Sequence, residues 1–511
     1  MFIIIFISVL AVVIYIIGTK NHDYWKKRGV AFDVPLPFFG TNIKNYLGMQ
    51  SVVQSAVDRY FNFPGERIVG CFRGTVPELV IRDPELIKRI LVADFYHFYP
   101  RGLNPHKKVI EPMLKNLFFA DGDLWKLLRQ RMTPAFTSGK LKAMFPLIVE
   151  RADRLQDIAA AAAVTGDTTD VRDLMARYTT DFIGACGFGI DADALNDENS
   201  NFRNLGMKIF SVTLRDVVVV LLKEVFPETF KHLKFVKQST EDDVVELVTS
   251  ILKQRNYTPS GRNDFIDLLL ELKSKGKIVG ESIEHIEADG TPKHTELELD
   301  DILMAAQVFV FFAAGFETSS SATSFTLHQL AFHPEEQKKV QEEIDTVLSK
   351  YDNKLCYEAV KEMKYLEMAF RESMRLFPSL GYLIRECARK YRIPESDITI
   401  DEGVMIVIPV QAIHNDEKYF DNPEQFRPGR FLPEEVQKRN KFVYLPFGEG
   451  PRACIGERLG LMQSIAGLAA VLRRVSVAPA KSTKRHPRVD PVANIVQSIK
   501  GGLPLSLVPR T

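Results

Sequence analysis

Residues 300–332 keep apolar side chains at helical spacing with no proline among them, a run far longer than the ~11–12 residues of an average helix. An apolar helix of that length has to lie buried. Yet its middle reads AAGFETSS, residues 313–320, where a glycine, an acid and hydroxyl residues interrupt the apolar pattern. Glycine there costs about 1 kcal/mol relative to alanine, and polar groups at a buried helix centre need partners or a purpose. One reading is a kink with satisfied hydroxyls, since Ser and Thr often bond the carbonyl one turn earlier. The other is a functional site built on the helix.

The chain around that helix is mostly helical as well. Apolar spacing predicts further helices at 123–132, 140–163, 171–182, 240–255, 265–273, 334–349 and 357–376. Strand signals are short: 68–72 and 79–81, joined as a hairpin near Gly74, then 398–400, 404–409 and strands within 495–508. The expected fold class is mainly α with small β-sheets. No linker rich in Gly, Ser or Pro divides the 511 residues and no repeat recurs, which points to one large domain. A net charge of +1 gives no argument for nucleic acid. The five cysteines, Cys71, Cys186, Cys356, Cys387 and Cys454, are odd in number and scattered, as in a reducing compartment. No CxxC occurs and no histidine lies close to Cys454, which argues against zinc.

Residues 2–17 are almost wholly apolar, and Lys20, Lys26, Lys27 and Arg28 follow. A cleaved signal peptide would carry its basic residues before the apolar run and a small-residue cleavage site after it. This order predicts instead an uncleaved signal-anchor transmembrane helix over 1–19, with the mass that follows on the cytosolic side. The expected divisions are that anchor, a basic and Pro-containing linker over 20–40, stiffened by Pro35 and Pro37, and a catalytic domain over 41–511.

Near the other end, FGEGPRACIG, residues 447–456, surrounds Cys454 with glycines and a cation. A structural cysteine behaves as a small hydrophobe, whereas a metal-bound one must be a thiolate, which nearby positive charge favours. Four more clusters accompany it. Glu372 and Arg375 stand three apart on one helix face; Arg430 lies in FRPGRF; Trp125 and Arg129 stand four apart; Arg385 follows Arg375 by ten residues.

Together these residues resemble the cytochrome P-450 monooxygenases. Phe447, Gly450, Arg452, Cys454 and Gly456 match that family's F-x-x-G-x-R-x-C-x-G haem signature. Glu372 and Arg375 match its E-x-x-R; Ala314, Gly315, Glu317 and Thr318 match its oxygen-activation motif; Trp125 and Arg129 match its W-x-x-x-R. The resemblance runs along nearly the whole chain and implies the cytochrome P-450 fold, a long central helix over haem b. It implies Cys454 as the thiolate iron ligand, with Phe447 and Gly456 beside it. It implies Arg452, Arg385, Trp125 and Arg129 as haem-propionate partners, Gly315 as room for O₂, and Thr318 and Glu317 as the catalytic proton-delivering groups. Glu372, Arg375 and Arg430 are expected to be structural, with Gly429 standing where the family usually has an acid. His414 is expected to be structural, and His328 and His333 solvated or capping.

The implied function is a membrane-bound haem-thiolate monooxygenase acting on a lipophilic substrate, and AGFETSSSA and REC are most similar to the xenobiotic-metabolising microsomal group of insects and vertebrates. The implied partners are NADPH–cytochrome P-450 reductase and cytochrome b5 at the endoplasmic reticulum membrane, with no nucleic acid. The reductase is expected to dock on a basic face made by Lys126, Arg131, Lys438, Arg439 and Lys441. The segments expected to line the substrate pocket are 103–108, 202–220, 308–314, 380–384 and 496–499, with Phe210, Phe309, Phe312 and Tyr382 prominent. An O₂-independent haem-thiolate isomerase or dehydratase, and a haem-based sensor, are the alternatives. The retained acid and threonine of the central helix argue against the first, and an intact proton relay argues against the second.

Overall fold

The computed structural model describes residues 2–510 except 105, 198, 199, 212, 493 and 494. Positions 105 and 212 belong to the expected pocket segments and lie outside the described residues. The central helix spans Asp301–Phe332 in one piece. It starts where the Asp300 carboxylate accepts the Leu303 N–H at 2.7 Å, and it ends at His333, ahead of Pro334. Three of its buried hydroxyls are satisfied within the helix: Thr323, Ser324 and Thr326 each donate to the carbonyl four residues back, at 2.6–2.8 Å. The helix is long and apolar enough to cross a membrane, but here it is the mostly buried spine of the molecule.

Helix Val171–Ile183 packs along it, and helices Lys364–Leu376 and Gln238–Gln254 cover its other sides. Helix Ser138–Thr165 is joined to the central spine through Glu457–Arg474 and Val171–Ile183. A four-stranded sheet lies to one side, in the order Ile68–Arg73, Val76–Ile81, Met405–Ile408, Leu383–Glu386; only the middle pairing is parallel. A second sheet joins Val475–Pro479, Pro504–Pro509 and Thr168–Asp170.

The expected helix at 357–376 is two helices, Tyr357–Glu362 and Lys364–Leu376. The break comes from outside the segment: the Glu343 carboxylate accepts the N–H groups of Tyr365 and Leu366 at 2.8 and 2.9 Å, capping a new helix start. Only Pro504–Pro509 of the stretch 495–508 is strand; before it stands a single bridge between Val489 and Ile499. Sequence spacing did not reveal helices Val52–Asn62, Asn201–Phe210, Leu214–Val225 and Glu457–Arg474, nor the hairpin of Ile278–Ile286 with Pro292–Leu297.

Phe2–Gly18 forms an apolar helix whose side chains are exposed. The segment after it is folded onto the body. Trp25 is fully buried, its indole N–H donates to the Cys71 carbonyl at 3.0 Å, and its ring fills the space beside Gly70. Arg28 pairs with Asp401, and Phe32 bridges to Gly70. Residues 20–40 are therefore part of the first sheet's packing. Removing residues 2–17 should leave stability to urea unchanged. Removing residues 2–26, or replacing Trp25 with Ala, should cost about 3–5 kcal/mol, as for other buried tryptophans; equal urea midpoints for the two truncations would show that Trp25 packing carries no stability.

Candidate active site

The stretch around Cys454 is a loop closed on itself. The Cys454 N–H donates to the Phe447 carbonyl at 2.8 Å, and Ala453 N–H to the Gly450 carbonyl at 2.9 Å. Gly450 has φ of 78°, and a Cβ there would stand 1.9 Å from the Leu91 carbonyl oxygen, so only glycine fits. Gly456 heads helix Glu457–Arg474, placing that helix's unpaired N–H groups beside Cys454. Cys454 is exposed at its surface yet crowded by protein mass around it. That crowding pushes its thiol up, against the opposing pull of the Gly456 N–H and the Arg129 and Arg101 charges. The other buried cysteines, Cys71, Cys186 and Cys387, are pushed up to about 12 by burial and are inert thiols. All five cysteines are free.

Arginines crowd the neighbouring space. Arg452 is buried and donates to the Tyr99 carbonyl at 2.7 Å, the Ala120 carbonyl at 2.9 Å and Asp121 at 2.8 Å, with its guanidinium 4.2 Å from the centre of the Trp125 ring. Arg129, one turn on from Trp125, donates to the Ala453 carbonyl at 2.8 Å. Arg385, on strand Leu383–Glu386, is only 2% exposed; Nη1 reaches its neighbour's carbonyl, and Nε has no partner among the described residues. Arg101, which sequence reasoning missed, belongs to the same group and donates to the carbonyls of Phe118 and Arg452. Burial first, and then like charge, pulls Arg385 down to about 9 and Arg452 well below its ordinary value. Burial also lowers Arg101 to about 10. Asp121 is the carboxylate that offsets them. The only sequence hint of Arg101 was a lone arginine after Pro100.

The other expected element of the site is the central helix. It is buried on nearly every side from 303 to 310 and from 320 to 331, but Ala314 is exposed and Gly315, Glu317 and Thr318 are partly so. The Thr318 hydroxyl donates to the Ala314 carbonyl at 2.6 Å. Glu317, about 100° further round the helix, turns away and pairs with Arg172. Gly315 was expected to leave room for O₂. The structure gives it another reason: a Cβ there would stand 2.1 Å from Ile183 Cδ1, so the missing side chain accommodates a neighbouring helix. Phe309 and Phe312, expected in the pocket wall, are buried core, Phe312 packing edge-on against Phe188 and Phe202. His328, expected to be solvated or capping, is fully buried and bonds the Lys484 carbonyl at 2.9 Å.

A profile of the cytochrome P450 family matches residues 31–503. The chain belongs to the cytochrome P450 family. It is 38% identical to cytochrome P450 6B6 of Helicoverpa armigera, over 99% of this chain and 97% of that one. It is 36% identical to cytochrome P450 6a2 of Drosophila melanogaster, over 94% of each. This P450 is accordingly a haem-dependent monooxygenase that uses O₂, a small-molecule substrate and electrons from a reductase partner, and it binds haem b through a cysteine thiolate.

The residues present fit that group. Buried arginines with one offsetting acid and an unpartnered Nε suit two propionate carboxylates, which arginine binds bidentately. Gly456 suits a close-lying macrocycle, since a side chain there would meet no protein atom within 4 Å.

Of the cations expected to dock the reductase, Lys126 and Arg131 are tied to the hairpin 278–297: Lys126 stands 3.9 Å from Glu281, and Arg131 donates to the Val279 carbonyl. Arg439 is partly buried and donates to the Arg430 carbonyl at 2.8 Å. Lys438 and Lys441 stay exposed, beside Glu435 and Glu449.

Burial and the neighbouring Arg101 charge disfavour the charged Arg385 guanidinium. Holding that charge with no anionic partner therefore weakens the haem-free fold. Arg385→Met should leave the haem-free protein at least as stable in urea. It should also speed haem transfer to an acceptor globin tenfold or more, since a charge-assisted hydrogen bond is worth about 1.5–3 kcal/mol. Unchanged haem retention would remove Arg385 from the propionate site.

Proposed function

We propose that this P450 is a microsomal monooxygenase of lipophilic compounds, xenobiotics among them, with Cys454 as its iron ligand and Thr318 at its oxygen face. The observation that carries this reading is the pairing of an exposed Ala314–Thr318 stripe on an otherwise buried helix with a cysteine loop ringed by under-compensated arginines. When bound, haem supplies an iron centre for O₂ activation, and thiolate ligation favours O–O cleavage. Arg385, Arg452, Arg129 and Arg101 bind and orient the propionates. The Gly456 N–H and the helix it heads favour negative charge on the Cys454 sulfur, opposing the burial that disfavours it. Thr318 would hold a hydroxyl proton on the central helix for the oxygen chemistry, and its bond to the Ala314 carbonyl fixes where that proton points. Glu317, paired with Arg172, is the adjoining titratable group for proton supply.

The exposed apolar helix Phe2–Gly18 supports anchoring to the endoplasmic reticulum membrane, with the catalytic body on the cytosolic face. Leu36, Phe39, Leu47 and Met49, exposed on the segment after it, offer further surface to a bilayer. The electron donor in this setting is NADPH–cytochrome P450 reductase, with cytochrome b5 as a second donor. The relatives among insect P450s and the aromatic packing around Phe210 and Phe316 support an apolar substrate.

Purified protein, reductase, NADPH and a library of lipophilic compounds test the reading directly. Substrate-dependent NADPH use with an oxygenated product upholds it, and product formed without NADPH or O₂ overturns it in favour of an isomerase. Cys454→Ser should abolish the long-wavelength ferrous–CO band. Thr318→Ala should keep that band and divert electrons to peroxide, lowering product per NADPH; positioned acid–base groups typically contribute about 10²–10⁴-fold. Lys438→Glu with Lys441→Glu should slow reductase-supported turnover and leave organic-peroxide-supported turnover unchanged, since only the former needs docking. Equal loss of both activities would assign these lysines to folding.

A further inference from the structure

A cavity of about 50 Å³ lies beside the central helix. Its walls are mainly apolar: Phe136, Phe182, Ile183, Cys186, Phe311 and Leu459 face it. Two of these bracket the active site. Phe311 belongs to the central helix, one turn before Gly315 and on the same face. Leu459 belongs to the helix that begins immediately after Cys454. The cavity therefore touches both helices that carry the candidate site. Its wall residue Ile183 is also the residue pressed against Gly315, where a Cβ would stand 2.1 Å from Cδ1. The absent side chain of Gly315 thus leaves a single flexible aliphatic group between cavity and oxygen segment.

The outer end has a polar rim. Lys140 donates to Asn263 at 3.1 Å and stands 3.9 Å from Glu271, spanning from one helix to the next across the mouth. Phe136 stacks on Phe311 at 5.4 Å, and Phe265 meets Phe311 at 3.8 Å, closing the sides.

We propose that this cavity is a docking site for molecular oxygen on a route to the active site separate from the substrate's entrance, with Ile183 as its inner gate. Size selects the occupant. About 50 Å³ admits a diatomic gas but not a lipophilic organic substrate. Phenylalanine and aliphatic side chains form most of the lining, and the two carboxylates that also border it, Asp264 and Asp267, are already engaged by Arg255; apolar cavities take up apolar gases. A side entrance matters because a bulky substrate, once bound, blocks its own channel to O₂. The proposal rests on the haem-thiolate reading. A normal ferrous–CO spectrum upholds that reading whatever the gas kinetics do.

The haem-loaded protein is crystallised under xenon pressure, and CO rebinding after flash photolysis is followed with and without a bulky ligand in the substrate pocket. Xenon is expected between Phe136, Phe311 and Ile183. Ala135→Trp fills the cavity from its partly exposed wall and should remove the xenon and slow CO association several-fold, most clearly with the pocket occupied. Ile183→Ala opens the inner gate and should quicken association, so the two variants move the rate in opposite directions. No xenon in the cavity of the unaltered protein overturns the docking site. Xenon present with association rates unchanged in both variants, each showing a normal ferrous–CO band, overturns the route. If Ala135→Trp fails to fold, the rate in Ile183→Ala decides: no increase overturns the gate.

Discussion

The placement of Cys454 depends on one fully buried guanidinium. Arg375 donates to both oxygens of Glu372 at 2.8 and 3.0 Å, to the His414 carbonyl at 2.8 Å, and to the carbonyls of Pro423 and Gln425. From there the connection runs on. The His414 ring, held neutral because burial drops it to about 3, accepts the Leu445 N–H at 2.9 Å through Nε2. Two residues later the Phe447 carbonyl accepts the Cys454 N–H. Helix Lys364–Leu376 is thus tied by three linked hydrogen bonds to the loop that presents the thiol. Arg430 closes the hub from the far side, reaching Glu372 at 3.2 Å and Asp421 at 2.7 Å. Asp421 supplies the carboxylate that Gly429 cannot. Removing one member of such a buried group costs about 3–5 kcal/mol, because the partner is left charged and unpaired.

The arginines nearer the thiol obey the opposite logic. Arg375 is fully answered by protein acceptors, whereas Arg385 keeps an unpartnered Nε and shares one acid, Asp121, with Arg101 and Arg452. One set holds the scaffold in its final form. On the proposed reading, the other set is completed by the anionic propionates, and part of the fold's electrostatic balance then resides in the cofactor.

How much of this could be read from the chain differs by kind of signal. The central helix, the E-x-x-R pair and the cysteine loop are legible because spacing along the chain sets which side chains share a face or a turn. Arg101 and Asp121 escape because their meaning arises only when distant loops converge on Arg452. The break at Met363 escapes because its cause, Glu343, sits on another helix. Hairpin 278–297 escapes because its strands are largely exposed and charged, without the alternation that marks a half-buried strand. The glycine at 315 was visible, but the neighbour that requires it, Ile183, was not; a sequence shows where a Cβ is missing and not what stands there instead.

The end of the N-terminal helix has a mechanical consequence. Gly18 lies flat against the Phe38 ring, where a Cβ would come within 2.5 Å, and its carbonyl accepts the Phe38 N–H at 2.8 Å. With Trp25 seated in the first sheet a few residues on, no slack chain separates the helix from the globular body. The joint behaves as a bracket and not as a leash. A lipid layer that gripped the helix would also set the attitude of the whole body above it, fixing which side faces the headgroups and which faces along the plane toward a neighbouring protein.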